Sequence, residues 1–179
     1  MKQEYNIIVF TENNIGLLNR ITIIFTRRKV NIESLTVSES AIKGISKFTI
    51  VINSTQEQVS KIVQQIEKQI EVLKAYYHTN DEIIYQELAL YKVSTDSLLE
   101  SSKIEMLVRK HNARILEITK DYTVIEKTGH NDETQAFFED LNEFEVMQFI
   151  RTGRIAITRS KVERLSNFLK ERDEVISDI

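Results

Sequence analysis

Cysteine, proline and tryptophan are all absent from the 179 residues, and glycine occurs only four times. Without cysteine there can be no disulfide and no thiolate metal ligand, which fits a reducing cytoplasm, the compartment expected here. Without proline, every turn must be made by Gly, Asn, Asp and Ser. No stretch approaches the ~18 consecutive apolar residues of a membrane span, so no membrane partner is expected. Met1-Lys2-Gln3-Glu4 runs straight into an aliphatic stretch, and no signal peptide is expected. Charge of one sign is scarce as well. Residues 1–80 carry 10 Lys and Arg against 7 Asp and Glu, and the remainder 14 against 20, so the net −3 divides into +3 and −6. Neither half has the basic excess of a nucleic-acid surface. The one cationic cluster, Arg27-Arg28-Lys29, falls where a helix would end, and cations there complement the helix dipole.

What is present is a hydrophobic content of 41%, enough for a packed core. Tyr5 to about Thr11 reads as a strand, followed by a polar turn from Asn13 to Gly16. Leu17, Leu18, Ile21, Ile24 and Phe25 then form a helical stripe to about Arg28. Val30 to Val37 reads as strand, with a change of parity at Ser34 that suggests a β-bulge. Phe48, Ile50 and Ile52 alternate in the next strand, and Thr55-Gln56-Glu57-Gln58 has the form of a capping box opening a second helix. Val72 to Tyr77 completes a β-α-β-β-α-β order, the ferredoxin-like unit.

The second half repeats that order. Ala89, Tyr91 and Val93 alternate, Ser97 can cap a helix to about Lys110, and Arg114–Thr119 and Tyr122–Lys127 form two tightly joined strands. Asp132 can cap a short helix, Glu145 to Thr158 reads as one long strand bent at Gly153, and Val162, Leu165, Phe168 and Leu169 predict a C-terminal amphipathic helix. The expected architecture is therefore α+β, with two βαββαβ domains over residues 1–79 and 80–179. Strand one is apolar on both faces and needs cover on both. A side-by-side dimer through its edge would supply it, and so would the second domain.

Catalytic signatures are missing. His78, His111 and His130 have no metal-ligand spacing, and there is no phosphate loop, nucleophile elbow or zincin helix. His111 continues an apolar helix face, whereas His130 lies in a polar loop and is expected to be solvated. Asp132 and Glu133 read as acids at a helix N-terminus. A non-catalytic chain holding no cofactor or metal of its own is expected.

The turn before the first helix suits an anion such as a carboxylate, because backbone N–H groups would face it with no side chain at Gly16 in the way. From pattern alone, Gly16 also reads as a plain turn glycine and Asn31 as a residue opening a strand.

Asn13-x-x-Gly16-Leu17-Leu18-x-Arg20, the heptapeptide Asn31-Ile32-Glu33-Ser34-Leu35-Thr36-Val37 and Ile66-Glu67-Lys68-Gln69-Ile70-Glu71-Val72 together resemble the regulatory small subunit of acetolactate synthase, whose N-terminal half is an ACT domain. Gln86 to Val93 and Arg151 to Arg159 are similar to that family's second domain. The resemblance implies a catalytic large subunit as partner, itself using thiamine diphosphate, Mg²⁺ and FAD. It also implies ACT-domain homodimerisation and feedback inhibition by a branched-chain amino acid, usually valine. The effector would sit between Asn13, Gly16 and Leu17 of one protomer and Asn31 and Ile32 of the other. The asparagine amides would hold the zwitterion and Ile32 would line the side-chain slot. One methylene discriminates by only ~1–3 kcal/mol, so valine, leucine and isoleucine are not separated. Ile15 stands just before Gly16, where the family often has a small or polar residue, a difference that bears on pocket width.

Two other functional classes make demands that this sequence does not meet. A free-standing ACT sensor or transcriptional regulator would want a helix-turn-helix module that the sequence does not contain. An RNA-binding ferredoxin-like module would need exposed aromatics on its central strands, where Phe48 and Tyr122 occur singly.

Overall fold

Period-two aliphatic runs become strands and period-3.6 stripes become helices in the computed structural model, which describes residues 1–96 and 103–161. The first half contains β1 (Gln3–Glu12), α1 (Leu17–Arg27), β2 (Ser34–Glu39), β3 (Ile45–Ser54), α2 (Gln56–Glu67) and β4 (Val72–His78). After a 3-10 turn (Asn80–Glu82) come β5 (Ile83–Ser94), α3 (Lys103–Lys110), β6 (Arg114–Ile118), β7 (Tyr122–Gly129), α4 (Asn131–Leu141), β8 (Val146–Arg151) and β9 (Ile155–Thr158). The chain divides into two compact units: Met1–Ile84 with the described residues from Ala156 onward, and Tyr85–Ile155. Ser97 and the amphipathic stretch from Val162 lie outside the described residues. No helix among the described residues is long and apolar enough to cross a membrane.

The first sheet runs β2-β3-β1-β4, all antiparallel. Ile7 pairs with Ile50 on one side and Tyr77 on the other, so β1 is an interior strand and not the edge through which a dimer was expected. Its helix-side residues Tyr5, Ile7 and Val9 share a core with Leu17, Ile21 and Phe25 of α1 and Val59, Ile62 and Ile66 of α2. Each such side chain contributes on the order of 1.5–3 kcal/mol over exposure, well beyond what a solvent-screened helix ion pair such as Glu57–Lys61 supplies. Burial of this stripe therefore holds the unit together. On the other face Ile8 and Val51 are only 5% and 2% exposed within a single chain, so that face does not by itself require a second copy.

α2 begins with half of the expected capping box: the Thr55 hydroxyl accepts from the Gln58 N–H at 3.3 Å, but the Gln58 side chain bonds Ser54 and Arg28 O in place of the Thr55 backbone. α1 ends at Arg27, where Arg28 is the C-cap and Lys29 turns left-handed at φ 55°. The strand expected from Val30 starts only at Ser34, and its register with β3 is unbroken from Ser34↔Val51 to Glu39↔Ser46. No bulge sits at Ser34. The parity change marks the strand's beginning: Val30 and Ile32 reach the core from backbone ahead of the ladder, and Leu35 reaches it from within the ladder.

The second unit repeats the topology, with order β6-β7-β5-β8. Its core gathers Ala89, Tyr91 and Val93 of β5 with Ile104, Ile125, Phe137 and Leu141. The long bent strand is instead two strands, β8 and β9, both paired with β5 and separated by 152–154, which makes this a sheet of five strands and not four. The helix expected to be capped by Asp132 is capped two residues earlier: His130 is its N-cap, and the His130 N–H donates to the Glu133 carboxylate at 2.7 Å. The His130 ring is only partly exposed, because it stacks on Tyr85 at 4.2 Å and 14°. His111 is half-buried, with Nε2 2.7 Å from Asp140 Oδ2.

Candidate functional site

Where β1 gives way to α1 the backbone has to turn without proline. Asn14 N–H donates back to Glu12 O at 3.0 Å, and Gly16 takes the left-handed conformation at φ 83°, ψ −5°. That conformation is open to glycine at little cost and strained for other L-residues. Gly16 is the N-cap of α1, and it offers no side chain to the first helical turn. The first intrahelical bond is Arg20 N–H to Gly16 O at 3.2 Å. The N–H groups before it lie at the positive end of the helix dipole, and the first turn holds no acidic residue. Here α1 differs from α2, whose N-terminus is closed by Thr55.

The turn is anchored on two sides. Asn13 N–H donates to Gly44 O at 3.1 Å, tying it to the tip of the β2–β3 connection. Glu12 N–H donates to Glu71 O at 2.9 Å, and the Glu71 carboxylate pairs with Arg20 at 2.7 Å. The Glu71 carboxyl is held below the usual range, chiefly by its own backbone N–H and further by the Arg20 guanidinium, with partial burial opposing both.

Between the turn, β2 and β3 lies a pocket of about 140 Å³. Glu12, Asn13, Asn14 and Gly16 make its polar wall, Leu18, Val37 and Phe48 its apolar one, and Thr11 and Ser46, partners in register, sit at the end of the sheet. A cavity of about 150 Å³ holds a molecule the size of benzene, so this space suits a small metabolite and is too small for a nucleotide-sized ligand. Ile15 is fully exposed and lines none of it, so the isoleucine before Gly16 does not narrow the pocket.

Of the residues marked from the sequence, Asn13, Gly16 and Leu17 are brought together here. Asn31 and Ile32 are not part of this wall. Asn31 is exposed, its amide donating to the Glu33 carboxylate at 3.0 Å, and Ile32 packs partly into the core of its own unit. Thr11, Ser46, Val37 and Phe48 were missed. Their signal exists only in the register, where Thr11↔Ser46 and Val37↔Phe48 become neighbours across strands more than thirty and about ten positions apart in sequence. Among the described residues, no group of three or more His, Asp or Glu could hold a metal ion.

Comparison with known proteins adds to this geometry. Residues 7–74 match a family model described as an AHAS small subunit-like ACT domain, and residues 86–160 match one described as the small subunit of acetolactate synthase. The acetolactate synthase small subunit of Bacillus subtilis is 34% identical over 156 residues, covering 87% of this chain and 90% of that protein. A probable acetolactate synthase small subunit of Archaeoglobus fulgidus is 32% identical, covering 87% and 97%. The crystal structure of the acetolactate synthase small subunit from Thermotoga maritima superposes with a TM-score of 0.81 at 28% identity, covering 89% of this chain and 99% of that one.

Proposed function

Because the chain belongs to the family of acetolactate synthase small subunits, we propose that it activates a catalytic acetolactate synthase subunit and makes it subject to feedback inhibition by a branched-chain amino acid, valine first among them. The chain works in the cytoplasm and is not itself catalytic. Thiamine diphosphate, Mg²⁺ and FAD belong to the subunit it regulates.

The observation that carries the reading is the uncapped start of α1 at Gly16, opening into a small pocket with one polar and one apolar wall. A zwitterionic amino acid with a short aliphatic side chain matches those features. Its carboxylate takes the first-turn N–H groups, at about 0.3–1 kcal/mol for the dipole alone and up to ~2 kcal/mol where partly buried. Its side chain lies against Leu18, Val37 and Phe48. Asn31 and Ile32 of a second protomer close the site across an ACT homodimer, which is why a single chain leaves them away from it. Inhibition then follows if the liganded dimer favours one docked arrangement, for which a coupling of ~1–3 kcal/mol suffices. The match of residues 86–160 to the family's second domain weighs against a free-standing sensor.

Calorimetric titration with valine tests this, on the parent chain and on Asn31→Ala, followed by reconstitution with a catalytic subunit. Saturable binding by the parent, its loss in the variant and valine-sensitive activation of the complex are expected. Activation with no valine response at any concentration would reduce the function to activation alone.

A further inference from the structure

Thr11 is fully buried, at 0% exposure, lies in the wall of the Gly16 pocket, and its Oγ1 atom makes no hydrogen bond. Thr36 Oγ1, on β2 and outside this pocket, is likewise without a partner, whereas three other buried threonine hydroxyls are engaged. Thr95 and Thr123 bond each other at 3.0 Å, and Thr134 donates to the carbonyls of His130 and Asn131. A buried hydroxyl without a partner is disfavoured, so its place in a pocket wall points to a group that enters the pocket. It lies beside Ser46 in register, so the end of the sheet brings two hydroxyl oxygens to this side of the pocket, with exposed Glu12 at the rim. The uncapped first turn of α1 on the other side is made of donors.

We propose that Thr11 is a binding residue of this pocket, its hydroxyl oxygen accepting a hydrogen bond from the ammonium group of the amino-acid effector. The inference rests on the amino-acid reading given above and extends it. An ammonium has three donors and no acceptor, so it cannot pair with the helix N–H groups and must be met by oxygens. With the carboxylate held at the first-turn N–H groups, Leu17 giving up its long 3.4 Å bond to Asn14 O, the oxygen side supplies them: Thr11 from within the protein, and the Glu12 carboxylate from the rim, where it takes a long 3.4 Å bond from the Asn14 amide. A ligand with the same carboxylate and side chain but no amine leaves Thr11 unmet. Thr11 is thus the residue that separates amino acids from their deaminated analogues.

The test uses the full chain, with valine and 3-methylbutanoate, the same skeleton without the amine, both read calorimetrically and the weaker one by displacement of the other. Thr11→Val keeps the shape and removes the hydroxyl, whereas Thr11→Ser keeps the hydroxyl; thermal melts establish that each folds. Thr11→Val is expected to weaken valine by about tenfold or more, as for loss of a hydrogen bond to a charged group, and to leave 3-methylbutanoate unchanged. Thr11→Ser is expected to stay within about threefold of the parent for valine, because the charged hydrogen bond is kept. Parent-like valine binding by Thr11→Val would overturn the assignment while leaving the effector reading intact. Equal weakening of both ligands would overturn it too, because the hydroxyl would then not be reading the amine. A parent chain that binds neither ligand would bring down the effector reading, and this inference with it.

Discussion

Arg154 and Glu87 meet inside the second unit, guanidinium Nε to carboxylate Oε1 at 3.5 Å, with side chains only 5% and 6% exposed. The guanidinium also lies 3.8 Å over the ring of Tyr85. Removing one partner of a buried ion pair strands the other charge in a low-dielectric interior. Arg154→Ala, which leaves the Glu87 carboxylate behind, is therefore expected to lower stability by about 3–5 kcal/mol in urea denaturation at neutral pH. A loss under about 1 kcal/mol would mean that the pair behaves like an exposed one.

Gly16 offers a separation of backbone from side-chain effects. A Cβ built there meets nothing within 4 Å, so replacement is not opposed by crowding, whereas its φ of +83° opposes any L-residue. Gly16→Ala should cost about 1–2 kcal/mol in thermal or urea melts, and Gly16→Asn less, because asparagine tolerates this region better. Equal costs for both would shift the explanation away from the backbone.

Asp140 joins α4 to α3 through Lys110 at 2.9 Å and His111 at 2.7 Å. These partners, Lys110 first, hold its carboxyl below the usual carboxylate value. A depressed folded value stabilises above the unfolded pKa, near 4, and that stability is lost as pH falls through the folded one. Asp140→Asn should accordingly be less stable than the parent at pH 7, with the gap closing below about pH 4. Parallel denaturation curves at pH 7 and pH 3 check this, and a gap that persists at pH 3 would contradict it.

Tyr91 is buried at the centre of the second core, and its hydroxyl donates to Thr134 O at 2.6 Å. Burial pushes its phenol up to about 12, with Arg151 pulling weakly the other way. A neutral group favoured in the folded state makes stability fall as pH rises from about 10, where the unfolded phenol ionises, towards 12. Tyr91→Phe should cost about 1 kcal/mol at neutral pH and lack this part of the alkaline decline. Absorbance of the phenolate alongside denaturant melts distinguishes the two chains.

Much of the fold was legible because its helices and strands are strongly patterned. Leu17, Leu18, Ile21, Ile24 and Phe25 were expected on one helix face; all but Leu18, which is exposed, are the buried residues of α1. Local pattern failed where pairing decides. The parity switch around Ser34 looked like a bulge, yet it arises because backbone ahead of the ladder is free to aim Ile32 inward. The run to Thr158 looked continuous because Thr152 to Arg154 keeps polar-apolar spacing compatible with a strand, and only the partner β5 reveals the break. The site divides in the same way. Gly16 announces itself by residue type, whereas nothing in one dimension marks Thr11 until Ser46 is laid beside it.

The interior position of β1 has a consequence for the order of events during synthesis. Its partners lie at Ile45–Ser54 and Val72–His78, and Ile7 must wait for Tyr77, 70 residues later. At ~5–20 residues per second that delay is roughly 4–14 s, long beside the microseconds in which a hairpin forms. A strand buried on both of its faces leaves the ribosome before either of its neighbours exists.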